Sequence, residues 1–374
     1  MTLDTRARRA AQGIHRAVEV MEMTTSTKEP RRVERFDRFR DRKQRNRRLG
    51  AILVAAALVI TAVVLVSMNA LDRGEGTVPA GPFEPRGRIL YGIPIEGTEI
   101  DHLYTVDPDG GRVLDLGVVS DRGARWSPDG TRILVTSRAG PPSTRLPLRP
   151  ATILPDGSGF TLLDGVSDPG LNLHCTAWSP DGSRLACEGF HGKEPAGLYT
   201  VRGSDGGGLQ QLSNVPSTPA DYSPDGGQIL VIRGAQEVNG LDQHGRLFVM
   251  STDGTGVRQV TPADSVDAGA DHTSWSPDGR WIAFTNSGNI AAIYLVHPDG
   301  TGLHQLEIDP SAGLVNVFGP SWSPDGEYLA FQGWDGEPDL NIDLYVARAD
   351  GSHVEQITDA IGYDAGIDWT AAQT

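Results

Sequence analysis

An all-β ring of six four-stranded blades, shut by the last strand of the chain and preceded by one membrane-spanning helix and a basic arm, is the fold class the sequence predicts. Three observations predict it. An aromatic residue stands directly before a Ser-Pro-Asp-Gly turn at Trp126, Trp178, Tyr222, Trp275 and Trp322, and a reduced sixth copy, Asp368-Trp369-Thr370, closes the chain. The intervals of 52, 44, 53, 47 and 47 residues have the length of one propeller blade, and self-similarity at such a period marks a repeat architecture. A second series of turns falls between these copies, at Asp109-Gly110, Asp156-Gly157, Asp205-Gly206, Asp253-Gly254, Asp299-Gly300 and Asp350-Gly351. Asp-Gly between apolar runs signals a hairpin, because glycine takes positive φ without steric cost. The third observation is a run of 23 uncharged residues, Leu49 to Leu71, long enough to cross a bilayer as a helix.

The formal net charge of -15 conceals a division. Residues 1–49 carry 15 Lys and Arg against 7 Asp and Glu, whereas the remainder carries 18 against 41. Residues 1–48 therefore read as a basic arm. Its first 22 residues, with Arg6, Arg8, Arg9, Ile14, Val18 and Met21 among alanines, suit a short amphipathic helix or disorder. The run from Arg31 to Arg48 suits anionic lipid headgroups beside a membrane, and nucleic acid is not an expected partner.

Residues 49–71 read as the transmembrane helix. A cleaved signal would have an apolar core of ~7–15 residues behind a short basic head, and here a 48-residue arm precedes a longer run. Arg40, Arg42, Lys43, Arg45, Arg47 and Arg48 crowd one flank, while Asp72, Arg73 and Glu75 nearly cancel on the other. Positive flanks stay cytoplasmic. The expected location is a bacterial-type cell membrane, with one span, the amino terminus inside and the ring outside. Residues 72–87, rich in Gly and Pro, read as a linker, and residues 88–374 as the propeller.

Within the propeller each unit is expected to hold strands A to D, from the axis outwards. In the fifth, Thr273 to Trp275 ends strand A, Trp281 to Thr285 is strand B, Ala291 to Val296 strand C and Leu303 to Leu306 strand D. In Ser-Pro-Asp-Gly, proline presets φ for a type I turn, aspartate suits the third position, and glycine takes the left-handed conformation that starts strand B. The aromatic ahead of it ends strand A, where its ring can wedge between blades, each burial stabilising by about 1.5–3 kcal/mol. Turn chemistry accounts for the repeated aspartates, so they are not read as catalytic. Residues 88–117 supply strands B to D with no strand A before them, and residues 366–370 supply an isolated strand A. The last strand then completes the first blade and removes two open edges.

Such repeats, for example WSPDGRWIAFTNSG followed by IYLVHPDGTGLHQL, closely resemble the WD-like propeller repeats of the TolB family, over about residues 88–370. The resemblance implies a six-bladed propeller acting as an extracytoplasmic binding platform. The front of the chain departs from it: that family carries a small α/β domain and a removable signal, where this chain has a basic arm and an anchor. No partner-binding residue is carried over.

The A-to-B and C-to-D turns share one face, and the variable D-to-A and B-to-C connections share the other. The candidate binding face is the second, and it is acidic, with His102, His174, Asp271, His272, Asp364 and Asp368 as its candidate residues. Loops on a rigid frame gather binding residues, and carboxylates around a tunnel favour a cation or a basic partner; the alternative is a solubilising surface. His174, Asp271 and His272 precede tryptophans closely, so a divalent metal at the channel mouth is one reading of them. Asp335 to Asp343 alternates oxygen side chains but lacks the glycine and terminal glutamate of an EF-hand loop, which leaves calcium an open alternative there. Cys175 and Cys187 flank one turn symmetrically and read either as a disulfide or as two buried thiols.

No nucleophile elbow, His-Glu-x-x-His, Cys-x-x-Cys or phosphate-binding loop occurs, so no catalytic residue and no cofactor are assigned. The expected function is a membrane-anchored, extracytoplasmic binding module for a protein or cell-envelope ligand. A metal-dependent lyase or hydrolase at the channel mouth and a transmembrane sensor coupled to the arm are the alternatives.

Overall fold

The computed structural model describes residues 82–95, 100–121, 123–138, 147–234, 236–238, 241–243, 245–262, 273–286, 290–336, 342–359 and 366–371. The arm and the apolar run at 49–71 lie outside them. Among the described residues no helix is long and apolar enough to cross a membrane.

Six four-stranded antiparallel sheets follow one another along the chain. Blade 1 takes strand A from Asp368–Thr370 and strands B to D from Arg88–Pro94, Ile100–Val106 and Leu114–Asp121. Blade 2 holds Ala124–Trp126, Ile133–Arg138, Leu148–Ile153 and Thr161–Leu162, and blade 3 holds Leu171–Trp178, Arg184–His191, Glu194–Arg202 and Gln210–Ser213. Blade 4 holds Thr218–Tyr222, Gln228–Arg233, Arg246–Ser251 and Arg258–Gln259, with a small ribbon, Gln236–Val238 against Leu241–Gln243, between strands B and C. Blade 5 holds Thr273–Trp275, Ile282–Asn286, Ala292–Val296 and His304–Gln305, and blade 6 holds Asn316–Trp322, Tyr328–Trp334, Ile342–Arg348 and Glu355–Gln356. The fifth blade thus follows the sequence expectation to within about a residue at each strand end.

Closure is as the sequence predicts. The final strand pairs with strand B of blade 1 in the register Arg88↔Thr370, Ile89↔Trp369, Leu90↔Asp368. Residues 82–87, the end of the expected linker, are built into this seam. Phe83 packs edge-on to Tyr328 with centroids 5.2 Å apart, and the Trp369 indole N–H donates to the Arg86 carbonyl at 2.9 Å. An apolar ring in an otherwise polar, Pro-rich stretch gives this segment something to bury.

The core lies between the blades. Each of six apolar clusters joins side chains of two neighbours: Ile89, Tyr91 and Val106 of blade 1 meet Ala330, Leu344 and Val346 of blade 6 around Trp369, for instance. Trp126, Tyr222, Trp275 and Trp322 serve the same way at four other joints, and the less buried Trp178 packs at the remaining one.

The turns repeat to the level of single hydrogen bonds. In each Ser-Pro-Asp-Gly copy the serine Oγ donates to the aspartate and accepts the N–H that begins strand B. At Ser276 these distances are 2.7 Å to Asp278 and 2.8 Å from Trp281 N. The glycine has positive φ, 65° at Gly130 and 74° at Gly279. The C-to-D glycine carries a further constraint, because it abuts the outer strand of the preceding blade. A Cβ on Gly157 would lie 1.9 Å from the Leu116 carbonyl oxygen, and one on Gly351 2.1 Å from that of Glu307. Here glycine is required by close approach as well as by φ.

Candidate functional site: the channel wall

Alternation along strand A dictates what the centre of the ring contains. The aromatic at the strand's end turns into the joint between blades, so the residue before it faces the axis. That position is filled by Arg125, Ala177, Asp221, Ser274, Ser321 and Asp368 in blades 2 to 6 and then blade 1. Blade 3 departs from the rule. Strand A there has a bulge between Cys175 and Ala177, which turns Thr176 toward the next blade, where its hydroxyl donates to the Pro219 carbonyl. A second bulge, between Pro219 and Asp221 in blade 4, sits directly beside the Asp221 carboxylate, as bulges that re-aim a side chain do.

These residues surround a cavity of about 230 Å³, with Arg125, Thr176, Asp221, Ser274, Ser321 and Asp368 supplying its polar wall. Prolines of the turns, including Pro128, Pro180 and Pro224, line it too. Asp221 accepts the Tyr222 N–H at 2.8 Å on one oxygen and the Trp275 N–H of the next blade at 2.8 Å on the other. Asp368 accepts the Trp126 N–H of the next blade at 2.6 Å. Ser274 repeats the contact with the Trp322 N–H at 3.3 Å. Arg125 donates to the Ile367 carbonyl at 3.1 Å.

Burial pushes the Asp221 carboxyl up to about 6, against the backbone N–H of Trp275 and the Arg125 charge, which favour its ionised form, while Asp368 adds to the rise. Asp368 is raised for the same first reason, burial, again opposed by Arg125. The turn aspartates go the other way. The Ser179 hydroxyl, with help from Ser183, holds Asp181 down to about 2. Two populations of aspartate, alike in sequence, thus differ in environment.

Of the residues singled out from sequence, the three that are described, His102, His174 and Asp368, are not brought together. His102 lies on strand C of blade 1, in the outer half of the sheet, with Nε2 2.7 Å from Asp115 Oδ1 and its ring stacked on Tyr104. His174 is buried in strand A of blade 3, opposite Glu188, whose carboxylate accepts from Thr218 of the next blade at 3.1 Å. Asp368 lies on the channel wall. Asp271, His272 and Asp364 are outside the described residues, as is the middle of the 335–343 segment. Among the described residues no three His, Cys, Asp or Glu side chains converge as a metal site requires.

Cys175 and Cys187 are register partners joined by a disulfide. The turn alone pairs Trp178 with Leu185 and Ala177 with Ala186, a register that would carry Cys175 opposite Glu188. The bulge at Thr176 shifts the strand by one residue and brings the two sulfurs face to face.

Sequence reasoning missed Arg125, Thr176, Asp221, Ser274 and Ser321. The signal for most of them was present: the column before the aromatic reads Arg, Ala, Asp, Ser, Ser, Asp, while the aromatic that follows it hardly changes. Thr176 had no such signal, because a bulge inside a strand leaves no turn residue to mark it.

No model of a known protein family matches the chain, and no curated protein matches its sequence. Solved structures do resemble it. TolB from Acinetobacter baumannii superposes with a TM-score of 0.57 at 19% identity, over 77% of this chain and 67% of that one. A putative TolB from Agrobacterium tumefaciens superposes with a TM-score of 0.52 at 17% identity, over 78% of this chain and all of the other, 100%. At such identities the likeness concerns the fold, and in fold the chain is a six-bladed propeller of the TolB type.

Proposed function

We propose that this protein is a membrane-anchored binding module whose propeller stands outside a bacterial-type cell membrane and engages a protein or cell-envelope ligand. No reaction and no cofactor enter this reading. The observation that supports it is the division of labour in the ring: one face carries the repeated turns, while the residue before each aromatic and the sequences of the opposite connections differ from blade to blade. A rigid frame presenting variable loops is the usual form of a recognition surface. The uncharged run at 49–71 and its basic flank supply the anchor and orientation, by the length and charge rules that govern membrane insertion.

The test compares the faces in intact cells. A photo-crosslinking residue is placed in the full-length chain at Ile290 or Val315, which are 64% and 47% exposed on loop-face connections. Control positions are Leu154 and Val257, 37% and 43% exposed beside C-to-D turns. A discrete adduct from the loop-face positions alone is the expected result. Equal adducts from both faces, or none from either, overturn the reading.

A further inference from the structure

In blade 1 alone, strands A and B are not consecutive in the chain, so no Ser-Pro-Asp-Gly turn joins them. Residues 82–87 lie where that turn would be. In blade 5 the pair Trp275↔Ile282 flanks the turn, and the Trp275 indole N–H donates at 3.2 Å to the carbonyl of Gly279, three residues before Ile282. In blade 1 the matching pair is Trp369↔Ile89, and the Trp369 indole N–H donates at 2.9 Å to the carbonyl of Arg86, three residues before Ile89. The strap thus reproduces across the seam a contact that a continuous chain makes within its own turn. Its fit is close, since a Cβ on Gly87 would lie 2.1 Å from the Thr370 carbonyl oxygen.

Blade 6 departs from the repeat where the strap meets it. The fifth residue after the turn serine is Arg132, Arg184, Gln228 and Trp281 in blades 2 to 5 but Tyr328 in blade 6, and the Tyr328 hydroxyl accepts the Glu84 N–H at 3.2 Å. In the C-to-D turns of blades 2 to 5, the third residue after the aspartate is Gly159, Gly208, Gly256 or Gly302, with φ between 61° and 67°. Blade 6 places His353 there, at 50°, a left-handed conformation that costs energy for a residue with a side chain. The His353 ring lies 4.3 Å from that of Phe83, and the Arg348 guanidinium 5.9 Å from the same ring. The other non-glycine with positive φ among the described residues is Arg112 of blade 1, at 35°. Its carbonyl accepts from Arg88, the residue that follows the strap, at 3.3 Å. Both exceptions flank the seam.

We propose that blade 6 carries a docking notch for an aromatic side chain on an extended, proline-flanked segment, and that residues 82–87 fill it as a latch on the closing seam. Phe83 is the plug, and Tyr328, Arg348 and His353 form the notch. Pro82 and Pro85 on either side of the plug favour an extended path and reduce the entropy lost on docking. With Phe83 seated, Arg86 and Gly87 are held against the final strand. Withdrawing it leaves three residue pairs to keep that strand in place. Contact with the plug offsets the backbone strain at His353, which explains why glycine does not stand there.

The test is hydrogen exchange of the full-length protein in detergent, read on segments 88–90 and 368–370 and, as a control, on strands A and B of blade 4. Phe83→Ala is expected to speed exchange at the seam about tenfold while blade 4 keeps its parental rate. His353→Gly gives the turn the residue its conformation prefers, so a role confined to the turn would slow exchange at the seam or leave it as it was. The latch instead predicts exchange about threefold faster, and this variant decides the proposal where Phe83→Ala fails to fold. The double variant should exchange no faster than Phe83→Ala alone, because His353 acts through the plug. Parental exchange at the seam in either single variant, equal acceleration in blade 4, or additive effects in the double variant overturn the proposal.

Discussion

The turn face and the channel wall are built from adjoining residues, yet they obey opposite rules. On the turn face, Ser127, Ser179, Ser223, Ser276 and Ser323 each hold the aspartate two residues on at 2.5–2.7 Å. One residue before each aromatic, or two at the bulge of blade 3, the channel wall changes character from blade to blade: a guanidinium, a bulge-displaced threonine, two carboxylates and two serines. Sameness marks the residues that make blades fit, and variety marks the residues free to make contact with something else. Conspicuousness in the sequence is therefore a guide to architecture, and the quieter neighbouring column is the guide to chemistry.

The comparison can be broken by substituting residues on each side of it. The largest effect is expected for Trp369→Ala, which empties the seam where the chain's two ends meet and releases the Arg86 carbonyl. A loss of about 3–5 kcal/mol is expected, read as a lower midpoint in chemical unfolding. Gly157→Ala should follow, since the new Cβ would lie 1.9 Å from the Leu116 oxygen at a φ of 82°. The expected loss is about 1–3 kcal/mol, measured the same way, and a neutral outcome would mean that the blades do not abut there.

A matched pair of serines sharpens the contrast. Ser276→Ala removes the bonds to Asp278 and Trp281 N and should cost about 1 kcal/mol without altering crosslinking from Ile290. Ser274→Ala, two residues away on the channel wall, should cost less than about 0.5 kcal/mol because its bond to Trp322 N is long, at 3.3 Å. Equal losses from the two would erase the distinction between frame and wall.

Much of the ring was legible in the sequence because its signals are local. Pro and Gly fix the turns whatever surrounds them, and two independent turn series agree on the number of blades. Closure could be read from a simple deficit, strands B to D at one end and a strand A at the other. The candidate site was less legible. His102 and His174 were chosen as chemically versatile residues near strand ends, but the distance from the axis depends on which strand holds a residue. His102 sits on strand C and pairs with Asp115, while His174 is enclosed within its blade. Asp368 was chosen as a loop-face acid and lies instead on the channel wall, one residue before an aromatic. Counting symmetrically about Asp181 places the two cysteines opposite each other, but the turn's own register would set Cys175 against Glu188, and it is the bulge at Thr176, which nothing in the sequence marks, that restores the pairing.

The seam at Arg88–Pro94 and Asp368–Thr370 also sets the order in which the molecule can be finished during synthesis. Strand B of blade 1 comes first among the described strands, and the strand A that pairs with its inner edge comes last among them. Until that strand is made, the inner edge of strand B stays open to any passing strand, and packing around Tyr91 must wait for residues that do not yet exist. Completion of the first module thus waits for the last of the described strands, and a chain halted before that strand keeps an adhesive flank.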